Sequence, residues 1–263
     1  FGERGYLDKV SITTDEFYEE LESNPAHPTT SQPAPGDFRR QFQFLASHFR
    51  DVVSVNLTGA FSGTWQGALS AADRTEAPGG IHVVDTRNAS TGQGQLVVLA
   101  AECAAAGCSV PATISAIERQ LEVTRTFAVL NELRYAVRGG RVPAWVRTVA
   151  ELLRLTPIIC TKPDGRISLS GFLFGRAHRA RRFARYVARR APSTDALDVA
   201  IGHAVCEEDA VTLEKAIRDQ LPGVRKVTLM GLGTALGVHG GPGTRLVSMM
   251  PHLSADDVAA GVD

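Results

Sequence analysis

Apolar residues follow two rhythms along this chain, and the rhythms alternate. Residues 51–57 (DVVSVNL), 81–85 (IHVVD), 127–130 (FAVL) and 197–203 (LDVAIGH) are short apolar runs rich in β-branched side chains, the pattern of strands. Longer stretches separate them. Residues 11–22 (SITTDEFYEELE) predict a helix that Thr13 or Thr14 can cap, with acidic residues in its first turns, where the helix dipole favours them. Residues 37–49 predict a second, with Phe38, Phe42, Leu45 and Phe49 on one stripe. An Ala-rich run behind Gly63 predicts a third, and further helices are expected over 95–107, 113–121, 144–155, 176–190 and 207–220. Residues 24–36 (NPAHPTTSQPAPG) predict a loop, because four prolines and a glycine oppose regular structure. Residues 86–94 (TRNASTGQG) predict another.

Strand, loop and helix in succession predict a parallel sheet covered by helices, with binding loops at the carboxyl ends of the strands. The texture changes near residue 131. NELRYAVRGGRVP carries a Gly-Gly turn, and TPIICTKPDGRISLSGFLF holds two apolar segments around Pro163-Asp164-Gly165, a hairpin signal. Residues 226–238 and the GGPGT turn complete a second unit. The expected architecture is two-domain α/β: an N-terminal parallel sheet flanked by helices over 1–135, then an α/β domain with a mixed sheet over 136–263.

Composition narrows the function classes. The 263 residues are 44% hydrophobic and 21% charged, which is ordinary for a globular chain. Lys+Arg equals Asp+Glu, 28 against 28, so the basic surplus that neutralises phosphate backbones is missing and nucleic acid is not the expected partner. Arginines do cluster locally at 176, 179, 181, 182, 185, 189 and 190, as a solvated helix face or as a patch for an anion or partner. Cys103, Cys108, Cys160 and Cys206 form no C-x-x-C pair and read as buried reduced thiols, with no metal expected. No apolar run reaches the ~20 residues of a membrane span and no signal peptide is recognisable, so a cytoplasmic location is expected. Residue 1 is Phe, which suggests a start inside a longer polypeptide.

Two polar segments can carry chemistry. Thr29-Thr30-Ser31-Gln32-Pro33 clusters hydroxyls and a carboxamide on a proline-braced backbone, either as ligand donors or as caps of their own turn. Ser62-Gly63-Thr64 lies where a strand gives way to a helix N-terminus, a ready anion site or a plain cap. Gly63 lets a ligand approach the backbone. No Walker loop, G-x-S-x-G element or dinucleotide fingerprint occurs. Of seven histidines, His239 in GVHGGPGT stands out, at a strand end running into a glycine turn, where it meets an anion or plays a structural part. Arg138 and Arg141 flank Gly139-Gly140, placed for an anionic group or for solvent.

Taken in order, PTTSQPAPGDF, FSGTWQGA, VVDTRNASTGQG, LRYAVRGGRV, LLRLTPIICTKPDGRI and VHGGPGT, behind an opening FGERGYLDKVSITTDEFY, resemble the DegV family, the fatty-acid-binding proteins that serve bacterial fatty acid kinase. The resemblance spans nearly the whole chain. It implies a long-chain fatty acid as ligand, no other cofactor, and a fatty acid kinase ATP-binding subunit as partner. It also implies that Thr30, Ser31, Ser62, Gly63, Thr64 and His239 bind the carboxylate, and that Arg138, Arg141 and Arg176 lie where the kinase delivers phosphate. Three departures stand out. The resemblance implies an opening strand ending in Asp-Ser ahead of the point where residue 1 stands, Thr58-Gly59 replaces a usual Ser-Ser, and Phe61 and Trp65 replace Leu and Tyr. The expected role is a binding protein that presents its ligand and catalyses nothing itself. The alternative is an acyl hydrolase or acyltransferase with Ser62 as nucleophile and His239 as base, for which the sequence names no orienting carboxylate.

Overall fold

The computed structural model describes residues 1–140, 155–175 and 178–261. In chain order the elements are α1 (Thr14–Ser23), α2 (Pro35–Ala46), β1 (Asp51–Asn56), α3 (Thr64–Ala72), β2 (Gly80–Asp85), α4 (Ser90–Ala105), α5 (Val110–Val123), β3 (Arg125–Val129), α6 (Leu133–Arg138), β4 (Leu155–Thr161) and β5 (Ile167–Phe174). Then come α7 (Arg179–Ala188), β6 (Leu197–His203), α8 (Glu207–Arg218), β7 (Val224–Gly231), α9 (Thr234–Gly240), β8 (Arg245–Pro251) and α10 (Ala255–Ala260). The helix expected over 144–155 lies outside the described residues except for Leu155, which opens β4.

Two compact units interleave along the chain. One takes Phe1–Thr30, Arg125–Cys160 and Ser168–Met249; the other takes Ser31–Thr124, Thr161–Ile167 and Met250–Asp263. The expected α/β class, a small parallel sheet and a mixed one, is what the chain adopts.

The first unit is built on the six-stranded sheet, ordered β5-β4-β3-β8-β6-β7. β3 runs antiparallel to both β4 and β8, with Phe127 opposite Cys160 and Val247, while β6 and β7 are parallel. Phe127, Val129, Ile158, Val199, Ile201, Val247 and Met249 bury one apolar layer against Phe183 and Val187 of α7 and Leu213 and Ile217 of α8. The arginine-rich segment is thus an amphipathic helix: Ala180, Phe183, Ala184 and Val187 are buried, while Arg181 and Arg185 are exposed. Arg190 stacks over the Tyr186 ring, 3.7 Å from its centroid.

The second unit holds the parallel pair, Asp51 beside Gly80 through Asn56 beside Asp85. Alternation sends Val52, Ile81 and Val83 toward α2 and α3, and Val55 and Val84 toward Leu96 of α4 and Ile117 of α5. The expected hairpin forms. Lys162 N–H donates to Arg166 O at 2.9 Å and Gly165 N–H to Lys162 O at 2.8 Å, with Gly165 at φ +80°.

Several expectations shift. Thr13 caps α1 in a full capping box: Glu16 N–H donates to Thr13 Oγ1 at 3.3 Å and Thr13 N–H to Glu16 Oε2 at 2.8 Å. The proline loop stops short of 36, because Pro35 opens α2 at a position whose N–H has no partner within the helix. The phenylalanine stripe of α2 ends at Leu45, and Phe49 is 61% exposed beyond the helix end. α4 starts at Ser90, so the Gly-containing stretch 90–94 is helix, with Thr91 and Gly92 buried. All four cysteines are free thiols, but only Cys103 is fully buried; the other three are half-buried. Among the described residues, no helix is long and apolar enough to cross a membrane.

Phe183 is 1% exposed at the centre of the larger core. Phe183→Ala is expected to destabilise the first unit by about 3–5 kcal/mol, by lost transfer energy plus the cavity left behind. Denaturant unfolding followed by amide exchange in β3 and β6 reads this out, and a loss below about 1 kcal/mol would contradict the packing.

Candidate functional site

His239 is half-buried and sits in the last turn of α9, a seven-residue helix, and not at a strand end as the sequence suggests. The glycine-rich context hides the helix, because glycine lowers helical propensity while β7 and the turn after α9 fix its two ends. Buried Val238 and half-buried Leu236 pack with Phe17, Tyr18 and Tyr135, and this apolar seat turns the imidazole the other way. Its Nε2 shares a 3.0 Å hydrogen bond with Thr30 Oγ1, 209 residues away in sequence.

Thr30 stands exposed in an irregular segment, two residues after buried Pro28. The pairing depends on Gly139, the C-cap of α6, since a β-carbon there would collide with the His239 ring. Gly241, at φ +70°, admits the Tyr135 ring in the same way. Two of the glycines in VRGG and HGGPG are therefore spaces for side chains. Arg138, the exposed last residue of α6, carries its charge toward His27, whose ring centroid is 6.1 Å from that of Tyr135. Burial, and then the Arg138 charge, hold the His27 pKa below its ordinary value. Tyr135, buried, is held above its ordinary value by desolvation.

In the second unit, Ser62, Gly63 and Thr64 form the turn from β1 into α3. Ser62 Oγ and Thr64 Oγ1 lie 2.8 Å apart, and Thr64 N–H donates to Ser62 Oγ at 3.3 Å, long enough to be a weak cap. Two half-buried hydroxyls thus stand together at a helix N-terminus, where an oxyanion is favoured. Gly63 serves a different neighbour from the one expected. The Gln32 carboxamide packs over it, and a β-carbon would take the place of Gln32 Oε1. The sequence places Gln32 in the polar candidate loop, but not among the residues that the resemblance assigns to the carboxylate. Its signal was present, since it follows Thr30 and Ser31 directly, but nothing local pairs it with Gly63.

The turn is held from behind. Thr58, buried, donates through Oγ1 to Gly165 O at 3.0 Å and through its N–H to Asn88 O at 2.8 Å. Gly59 N–H donates to Asp85 Oδ2 at 3.2 Å, and the Trp65 ring lies against Gly59. Thr58-Gly59 therefore braces the loop: the hydroxyl bonds backbone and the glycine makes room for Trp65.

The expected site residues thus fall into two local groups. Thr30 and His239 are brought together in the first unit; Ser62, Gly63 and Thr64 are brought together in the second, which also carries exposed Ser31. Arg141 and Arg176 lie outside the described residues. Among the described residues, no group of three or more His, Cys, Asp or Glu is arranged to hold a metal ion.

Comparison with known proteins gives a consistent answer. The chain matches the model of the DegV family, described as uncharacterised proteins, over residues 1–252. A DegV domain-containing protein of Caldanaerobacter subterraneus is 30% identical over 239 residues, which are 91% of this chain and 84% of the relative. A DegV family protein from Thermus thermophilus, whose structure describes fatty acid binding, superposes with a TM-score of 0.84 at 29% identity, over 94% of this chain and 87% of that one. A DegV family protein from Eubacterium eligens, loaded with heptadecanoic acid, reaches a TM-score of 0.85 at 18% identity, over 96% and 90%; this last likeness is one of fold.

The local electrostatics can be tested. Arg138→Gln is expected to raise the His27 pKa toward its ordinary value near ~6.5. An NMR titration of the His27 ring protons measures it; an unchanged midpoint would contradict the proximity of the two side chains.

Proposed function

The chain belongs to the DegV family, and we propose that it binds a long-chain fatty acid and presents the carboxylate to a partner fatty acid kinase, which forms the acyl phosphate. The observation that carries the ligand class is the likeness to the fatty-acid-binding protein of Thermus thermophilus. The donors we assign to the carboxylate are Thr30, Ser31, Ser62, Gly63, Thr64 and His239.

The chemistry supports a holding role. A carboxylate leaving water needs several donors, and hydroxyls with helix N–H groups supply them without a competing fixed charge. The Ser62 and Thr64 hydroxyls share a single 2.8 Å hydrogen bond, and giving it up lets both turn toward an oxyanion. The Thr30–His239 pair offers a hydroxyl or a ring N–H, according to tautomer. Each buried methylene contributes about 0.8 kcal/mol, so a tail of about 16 carbons supplies most of the affinity while the head group sets orientation. Holding the acid for a separate enzyme requires no nucleophile in this chain. Arg138, Arg141 and Arg176 are assigned to the side from which phosphate arrives, and the kinase partnership implies a cytoplasmic protein.

Native mass spectrometry of the purified protein, with lipid extraction, tests the ligand. A stoichiometric long-chain fatty acid is expected; protein that carries none and takes up none on titration would defeat the proposal. Ser62→Ala is expected to slow phosphorylation of the bound acid by a cognate kinase more than it weakens acyl binding. Equal turnover in wild type and variant would reject that role, and a covalent acyl group on Ser62 would replace it with an acyl-transfer mechanism.

A further inference from the structure

The helix α4 ends in a Schellman turn. Gly107 takes the left-handed conformation, at φ +78°, and its N–H donates to Ala104 O at 3.2 Å. Cys108 N–H then donates back to Cys103 O at 3.0 Å. These two bonds fold the chain over its own last turn, so that the side chains of Cys103 and Cys108 meet. Apolar side chains ordinarily make that contact; here both are thiols.

The pair lies wholly in the second unit. Cys108 packs with Cys103 in the cluster that joins α4, α5 and α10, together with Leu99, Ala116 and Val258. The two side chains are hydrogen-bonded to each other, and Cys108 Sγ donates onward to Ala255 O at 3.5 Å. Cys103 is therefore the donor between the sulfurs, and the groups form a chain of thiol, thiol and carbonyl. Burial first, and then the Cys108 neighbour, push the Cys103 pKa up to about 11. Access is unequal, because Cys103 is fully buried and Cys108 half-buried. A reagent from solvent meets Cys108, and Cys103 reacts with what Cys108 becomes.

We propose that Cys103 and Cys108 are an oxidation site that closes to a reversible disulfide when a small hydroperoxide reaches Cys108. A disulfide needs side chains that converge over a short backbone separation. The backbone bond between the two residues and the contact between their sulfurs supply both. In the first step the Cys108 sulfur attacks one peroxide oxygen, the O–O bond breaks, and Cys108 carries a sulfenic acid while water leaves. In the second the Cys103 sulfur attacks the Cys108 sulfur, the S–O bond breaks, and a second water leaves with the Cys103 proton. Two thiols are oxidised and one peroxide is reduced. The pair shares no residue with the carboxylate donors assigned above, so its test is independent of the fatty-acid reading.

Hydrogen peroxide added to the folded full chain, followed by alkylation in denaturant and tryptic mapping, tests the site. Both cysteines fall on one tryptic segment, 88–119, while Cys160 and Cys206 belong to the first unit and serve as internal controls. The segment is expected to become two hydrogens lighter and to resist alkylation, and dithiothreitol is expected to restore it. Cys108→Ser is expected to abolish the change. In Cys103→Ala the sulfenic acid on Cys108 has no thiol to resolve it, and its capture by dimedone is expected to rise about fivefold or more. If Cys103→Ala does not fold, Cys108→Ser, at the half-buried position, carries the test. A segment that still alkylates at both cysteines after peroxide would overturn the proposal. So would a disulfide from either one to Cys160 or Cys206, or a sulfinic acid on Cys108 with no disulfide.

Discussion

A β-carbon at Gly63, Gly139 or Gly241 would stand where the side chain of Gln32, His239 or Tyr135 now packs. The polar groups of the two local clusters depend on those three gaps. His239 reaches Thr30 because Gly139 lets its ring lie against the α6 terminus, and α6 is fixed there by buried Tyr135, whose own ring needs Gly241. In the second unit, Gly63 lets the Gln32 amide come down on the turn that carries Ser62 and Thr64. Glycine is costly in backbone entropy. Removing any of the three gaps would move a donor by more than the few tenths of an ångström that a hydrogen bond tolerates.

The proposed donors would hold an acid by neutral means. Hydroxyls and helix N–H groups stabilise an oxyanion while leaving its charge available to a reaction elsewhere, whereas a guanidinium would clamp and neutralise it.

Much of this was legible in the sequence, for reasons that are local. Thr13 with Glu16 announces a capping box, Pro163-Asp164-Gly165 a tight reversal, and the β1 and β2 segments strands, because each rests on contacts within a few residues. The residues at 30–33, 62–64 and 239 are joined in one expectation only by the resemblance, since each alone also reads as a cap, a turn or a structural histidine. What local pattern could not carry was partnership across the chain. Nothing near residue 127 shows that β3 pairs with β4 and β8, and nothing near 63 names Gln32 as its neighbour. Glycine-rich α9 reads as a turn because propensity is weak beside the ends imposed by β7 and β8. Pro35 and Ser90 mark helix starts that composition alone assigns to loops.

The central claim is that the head group is recognised as an oxyanion and the tail as a hydrocarbon. Titration of the lipid-free protein with a long-chain fatty acid and with the fatty alcohol of the same chain length separates the two most directly. The account predicts that the alcohol, with the same tail but no charge, binds at least about tenfold more weakly, a difference of about 1.4 kcal/mol. Equal affinity for acid and alcohol would contradict it, leaving the hydroxyls at 30, 62 and 64 as caps and turns.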